Sequence, residues 1–503
     1  GLVAGGMDLR LAIRVLVPSA WQNRDAMDPE LRAMYEYYSL FMDPWDGPAG
    51  LVITDGRHAL CTMDRNGLRP ARYVITRDGH LTIASEIGVY DYQPEDVIRK
   101  GRLGPGDMLC LDLETGILQE TDEIDRQLKV RKPYRQWLSE HARYLNTQMD
   151  QEDLSAVSVP AAQLAAFQKE FLVTHEELDQ VLRVLAETAQ EAVGSMGDDT
   201  ALPVLSRQVR SLYEYFRQQF AQVTNPPIDS LREKTVMSLR TCFGREYNPL
   251  AERPEFASRI DIYSPVLSHS MFRQLMAMGA PEFSHQVIDI TYPLSGNLRE
   301  AIQRIADEAE AAARQGRVIL ILSDRNIAAD SLPVHAALAT GAVHHRLGQA
   351  GLRCSANLVV ETATARDPHH FAVLIGFGAT AVYPYLAYQC LAAMIEQKQV
   401  AQRSAAQLMH AYRKGINKGL FKILSKMGIS TINSYRGAQL FEAIGLHEEV
   451  VNICFPGLTS RIQGATFADL EADQRQLHTT AWNPAKPIQP GGLLKFLPKS
   501  EYH

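Results

Sequence analysis

Two groups of residues in this chain have the types and spacing for chemistry. Ser323-Asp324-Arg325 and Glu361-Thr362 each follow an apolar run, Val318–Leu322 and Val359-Val360. Two histidine pairs, His344-His345 and His369-His370, lie nearby in sequence. Carboxylates with imidazoles can bind a divalent metal and activate water. Adjacent histidines on a helix point about 100° apart, so each pair easily supplies only one inward ligand. The competing and favoured reading has Asp324 and Glu361 capping the helices that follow, or pairing with Arg325 and Arg366.

The second group is Asp64-Arg65-Asn66-Gly67-Leu68-Arg69-Pro70-Ala71-Arg72-Tyr73. Asn66-Gly67 alone is a turn. Three arginines, a rigid proline and an aromatic exceed what a turn needs, and arginine forks bind carboxylate or phosphate bidentately. Ligand contact and an ion-pair cluster at a domain interface both fit Asp64, Arg65, Asn66, Gly67, Arg69 and Arg72. Ser425-Lys426-Met427-Gly428-Ile429-Ser430-Thr431 is similar. Its plain reading is a helix end, with Lys426 favourable to the helix dipole and Gly428 just past the last turn. Gly376-Phe377-Gly378 lacks the third glycine of a dinucleotide loop and reads as a helix stop. No G-x-S-x-G elbow, Walker loop, H-E-x-x-H or C-x-x-C pair occurs.

The elements that must position these residues change along the chain. Residues 1–45 read as helical. From 50 to 118, short β-branched runs (Leu51–Thr54, Ala59–Met63, Arg72–Thr76, Leu81–Ala84) are separated by Asp55-Gly56, Asn66-Gly67 and Asp78-Gly79. These dipeptides tolerate positive φ, which predicts an antiparallel meander. Asp125–Leu145 reads as a charged amphipathic helix and Ser155–Ala162 as a linker. Thr174-His-Glu-Glu177 has capping-box spacing. Gly194–Thr200 and Asn225-Pro226-Pro227 read as loops. From 286 to 386 strands and helices alternate: strands near 286–292, 318–322, 356–360 and 379–382, and helices near 298–315, 333–349 and 368–375. This rhythm predicts a parallel α/β sheet or partial barrel. Helices are expected to about 447, and Trp482–Tyr502 shows no obvious core partner.

Length and composition bound the rest. At 503 residues the chain is long enough for about three domains. With 46% hydrophobic and 22% charged residues it is an ordinary globular sequence, which excludes a disordered or disulfide-scaffold protein. A net charge of −7 and the absence of a long basic run argue against nucleic acid. No apolar run reaches the ~20 residues of a membrane span. The six cysteines are scattered, as expected for reduced thiols in a cytoplasm. Gly1-Leu2-Val3 is neither an initiator methionine nor a signal peptide, so the length need not be that of a whole protein.

Taken in order, several of these stretches resemble the large subunit of bacterial NADPH-dependent glutamate synthase. They are Pro44-Trp-Asp-Gly-Pro48, Asp64–Tyr73, Ala84-Ser-Glu-Ile-Gly88, Val223–Asp229, Leu322–Ile327, Val360–Gly378, Tyr383–Ala387, Gly415–Gly437, Phe455–Ile462 and Gly491–His503. The resemblance covers essentially the whole chain. It implies an α/β protein. An antiparallel β-rich remnant of an N-terminal-nucleophile (class II) glutamine amidotransferase domain over 1–147 would precede a parallel α/β central domain over 148–475. Residues 476–503 would lead into an FMN-binding synthase barrel.

The family enzyme hydrolyses glutamine, passes ammonia through an internal tunnel to 2-oxoglutarate and reduces the imine with FMN. Electrons come from NADPH through iron–sulfur clusters and a small flavoprotein subunit, and the products are two glutamates. The family nucleophile is an amino-terminal cysteine that would lie upstream of Gly1. Cys61 falls inside a predicted strand, and Asn66-Gly67 is not the family's oxyanion motif. The FMN-binding run and the cysteine triplet of the 3Fe–4S cluster have no counterpart here. The resemblance therefore carries no catalytic, cofactor or metal residue onto this chain and implies an inactive span when isolated. It implies instead that Asp64–Tyr73 and Ser425, Lys426, Met427 and Gly428 lie at domain interfaces or in the tunnel wall.

Overall fold

A computed structural model describes residues 1–86, 88–145, 156–192, 206–219, 226–401 and 403–492, together with 494 and 497. The expected loop at 194–200, and Ser155 and Asn225 from two other predicted segments, lie outside these residues. The chain is a mixed α/β protein.

The first unit begins with two short helices, Leu9–Leu16 and Pro29–Tyr38. Asp8 and Asp28 cap them by accepting the first free amides, and Pro29 occupies the position where a missing N–H costs nothing. Seven strands follow: β1 (Gly50–Thr54), β2 (His58–Met63), β3 (Arg72–Thr76), β4 (Leu81–Ala84), β5 (Val97–Arg102), β6 (Met108–Asp112) and β7 (Leu118–Glu120). They form two antiparallel sheets, ordered β1-β2-β6-β7 and β4-β3-β5. Asp55-Gly56 and Asp78-Gly79 close the β1–β2 and β3–β4 hairpins.

The single meander predicted from the turn dipeptides is therefore wrong at one point. Asn66-Gly67 does not join paired strands but carries the chain from one sheet to the other. Gly67 sits at φ +59°, and a Cβ there would lie 2.7 Å from Pro105, so this crossover admits only glycine. Strand β5 gave no apolar alternation, because its side chains are mostly exposed. The helix expected over 125–145 is broken by Pro133 into Thr121–Lys129 and Tyr134–His141.

The second unit is built on four parallel strands, β8 (His285–Asp289), β9 (Ile319–Ser323), β10 (Asn357–Glu361) and β11 (Ala381–Tyr383), lying side by side in that order. Helices Leu298–Arg314, Ala336–Gln349 and Pro368–Gly376 make the crossovers. β9 and β10 are buried at every position, as continuous apolar runs covered on both faces must be. Their core extends to the 23-residue helix Ala405–Met427.

Beyond that helix the expected all-helical stretch is interrupted. Phe441–Leu446 is a strand, paired with Thr459–Ala465 and Phe216–Gln218. Thr174 caps as predicted by accepting the Glu177 amide, but the Glu177 carboxylate reaches to Arg366 instead of back to Thr174. The tail also finds a partner: the amides of His175 and Glu176 donate to the Gln489 and Pro490 carbonyls.

Candidate functional site

The two polar segments singled out in sequence meet. Helix Ala405–Met427 stops because Gly428 takes the left-handed conformation, which turns the Ser430 and Thr431 amides outward from its end. Both amides donate to Asp46 Oδ2, at 2.6 and 3.2 Å. Asn66 Nδ2 donates to Ser430 Oγ at 3.4 Å, and Ser434 Oγ donates to the Pro44 carbonyl at 3.1 Å. Ser430 is held from behind, its carbonyl accepting the Ser238 amide at 2.8 Å.

On the other side, Asp64 pins the crossover. Its two carboxylate oxygens accept the Ala49 and Asn66 amides, and its carbonyl accepts the Gly67 and Gly106 amides. These bonds drive Arg65 and Asn66 inward, each only 4% exposed. Neither Nη atom of Arg65 has an acceptor among the described residues, and Asn66 Oδ1 and Asp46 Oδ1 have no donor there. Burial pulls the Arg65 pKa down, while the nearby carboxylates of Asp46 and Asp64 oppose that pull. A buried guanidinium without a hydrogen-bonded counterion is costly, so this turn is strained electrostatically in a way that a plain loop is not.

A second seam lies beside it. The Arg240 guanidinium bridges Glu36 (2.7 Å) and Asp261 (3.2 Å), and Arg259 forks onto Asp261 at 2.7 and 2.8 Å while donating to the Glu36 carbonyl. Burial disfavours the Asp261 carboxylate, but the two arginines outweigh it and hold the pKa below the usual range. Between the seams lies a small void, lined by Arg14, Trp21, Tyr35, Arg240, Thr431 and Asn433 among others. Arg14, fully buried, donates to Asp125 (2.9 Å) and to the Gly106 carbonyl (2.7 Å), which ties the void to the Asp64 turn.

The sequence candidates thus divide. Asp64, Arg65, Asn66, Met427 and Gly428 are buried and Gly67 and Ser425 part-buried, whereas Arg69, Arg72 and Lys426 face solvent. Ser425 contributes its carbonyl, which accepts the Ile228 amide. Sequence reasoning missed Asp46, Ser434 and Ser238 as contact residues. The only local signal for Asp46 was its place in Trp45-Asp46-Gly47-Pro48, where Gly47 has φ +126°.

The carboxylates at the strand ends do what the favoured reading expected for Glu361 and something else for Asp324. Glu361 accepts from Ser323 Oγ and Arg325 Nε, both at 2.7 Å. Arg325 also lies over the Tyr385 ring at 4.2 Å. Asp324 neither caps a helix nor pairs with arginine. It accepts Thr362 Oγ1 at 2.5 Å and the Ala363 amide at 3.0 Å, and burial pushes its pKa up to about 7. Arg366 pairs with Glu177. The histidines are engaged locally: His344 accepts from Arg353, His369 contacts the Tyr213 carbonyl, and His370 completes a capping box with Asp367. Among the described residues no three His, Cys, Asp or Glu side chains are grouped to hold a metal ion.

Against known protein families, residues 166–447 match the glutamate synthase central domain and residues 1–137 match class-II glutamine amidotransferases. The chain belongs to the glutamate synthase large-chain family. It is 38% identical over 491 residues to the glutamate synthase [NADPH] large chain of Bacillus subtilis, covering 97% of this chain and 32% of the relative. It is 40% identical over 511 residues to the corresponding chain of Azospirillum brasilense, covering 100% and 33%. With the ferredoxin-dependent glutamate synthase of Antithamnion it shares 38% over 512 residues, covering 98% and 33%. The chain spans about a third of the length of these curated relatives. Asp46 and Asp64–Gly67 fall in the amidotransferase match, and Ser430–Ser434 fall in the central-domain match. The two seams described above join the two matched regions.

Proposed function

We propose that this span is the linking third of a glutamate synthase large chain, holding an amidotransferase unit in fixed register with the central domain. The whole enzyme would convert glutamine and 2-oxoglutarate into two glutamates with electrons from NADPH. It would work in the cytoplasm with a small flavoprotein subunit as partner. Residues 1–147 would be the rear of the class II, N-terminal-nucleophile glutaminase domain, 148–475 the central domain and 476–503 the lead-in to the FMN barrel. The seam itself carries this reading: Asp46 gripping the Ser430 and Thr431 amides across the two matched regions. A buried polar seam fixes orientation more sharply than an apolar one, since each misplacement leaves a charged group unpaired. The void between the seams would form part of the wall along which ammonia passes.

FMN and a 3Fe–4S cluster would belong to the proposed whole enzyme, with their binding segments in other parts of it. All six cysteines are free, five of them singly buried, and no three ligand side chains converge among the described residues, so they do not fit a cluster. No helix of the described residues is long and apolar enough to cross a membrane. Glutaminase assays on the purified chain test the proposal. No ammonia release from glutamine is expected, and saturable turnover by the pure chain would overturn it.

A further inference from the structure

The segments that follow β8, β9 and β10, through Leu298, His335 and Arg366, line a cleft separate from the seams between the two matched regions. In open parallel sheets this edge is where ligands bind, because the loops there are free to vary while the strands hold them rigid. Leu212, Leu298, Leu338, Leu470 and Leu477 give the cleft an apolar floor and walls.

A few polar groups converge on it. Arg366 is only 3% exposed and lines the cleft. Its Nε donates to Glu177 and its Nη1 to the Ala363 carbonyl, so the remaining Nη2 is the part of the fork left for a ligand. His335 stands at the start of helix Ala336–Gln349, where its Nδ1 accepts the Ala337 amide at 3.2 Å. The ring proton is therefore on Nε2. Burial pushes this imidazole down to about 3, so the ring is a neutral donor across the physiological range. Arg210, paired with Glu214 at 2.8 Å, and Ser211 complete the polar side.

The carboxylates present set a limit on the ligand. Glu170 is taken up by His478 (2.9 Å) and Gln474 (2.8 Å), but Asp473 also lines the cleft and opposes negative charge, so the cleft admits no more than the one carboxylate that Arg366 can offset. We propose that this cleft binds a small monocarboxylate with a compact apolar body, its carboxylate on Arg366 and His335 and its body on the leucines.

Titration calorimetry of the whole chain with 4-methylpentanoate, and with the neutral isostere 4-methylpentanamide, tests this. Saturable binding of the acid is expected, with the amide at least about tenfold weaker, as loss of a charge-assisted hydrogen bond implies. His335→Ser keeps a helix-cap oxygen on a side chain much shorter than the imidazole, withdraws the Nε2 donor, and should weaken the acid by about tenfold. Leu470→Trp fills the cleft and should abolish binding while circular dichroism stays native. The proposal is overturned if the acid shows no saturable binding, if the amide binds equally, or if the two folded variants bind like the native chain.

Discussion

The seam between the two matched regions and the carboxyl edge of the parallel sheet both bury charge, but they resolve it differently. At the sheet edge Asp324 and Glu361 find donors close by in the fold. Asp324 is met by Thr362 and Ala363, and Glu361 by Ser323 and Arg325, all at or just past the ends of adjacent strands. At the seam, Asp46 is met by amides 384 and 385 residues away, and Arg65 keeps two donors without an acceptor among the described residues. The first region is self-sufficient and would survive separation of the units. At the second, the Ser430 and Thr431 amides find their Asp46 acceptor only when both units are in place, which is the mark of a joint and not of a core.

That contrast can be broken most directly at Asp46. Asp46→Ala removes the acceptor of two buried amides and a carboxylate beside Arg65, and should cost about 3–5 kcal/mol. The loss should show as earlier melting of the amidotransferase-like unit and faster proteolysis between the units. A variant with native melting would mean that the seam contributes no stability.

Asp324→Asn should act through pH. The folded-state pKa of Asp324 is raised to about 7 from the ordinary 3.8, so the folded chain binds the proton more tightly than the unfolded chain. Its contribution is fully present below about pH 4, is lost as pH rises toward 7 and is then constant. The native chain should therefore lose a few kcal/mol over that window, and Asp324→Asn, which keeps an acceptor for Thr362 and Ala363, should lose less. Parallel denaturation curves for the two proteins from pH 4 to 8 would count against the buried-carboxyl description.

Arg65→Met sharpens the comparison in the opposite direction. Replacing an ill-paired buried guanidinium with an apolar side chain of similar length should be neutral or stabilising by about 1 kcal/mol. A large loss in urea melts would show that Arg65 is well compensated. The smallest effect belongs to the solvent-facing members of the same segments. Arg69→Ala, Arg72→Ala and Lys426→Ala should each move stability by no more than about 0.5 kcal/mol in the same melts.

The difference between the regions also explains what could be read in advance. The sheet edge was legible because buried parallel strands announce themselves as continuous apolar runs, and the residue after each run sits at the carboxyl end. The hairpin turns at Gly56 and Gly79 were legible because Asp-Gly tolerates positive φ at adjacent strands. Asn66-Gly67 obeys the same local rule yet joins two sheets, since a turn dipeptide specifies a reversal and not which strands pair afterwards. Strand β5 carries no burial pattern because it is exposed, and Pro133 breaks a stretch whose charge pattern alone reads as one helix. Phe441–Leu446 was expected as helix; its pairing with Phe216–Gln218 and Thr459–Ala465 reaches residues that no local window contains.

By itself, the sequence determined the class of the strongly patterned segments, the cap at Thr174, the glycine stop at Gly428, and the ordered stretches that place the chain in its family. These depend on interactions within a few residues or on a pattern repeated along one element. Only the tertiary structure decided that Asp46 grips Ser430 and Thr431, that Arg65 is buried while Arg69 and Arg72 are not, and that Arg366 pairs with Glu177. Burial and ion pairing between distant residues depend on how whole units dock. Docking is set by the sum of many weak contacts, which no short window of sequence contains.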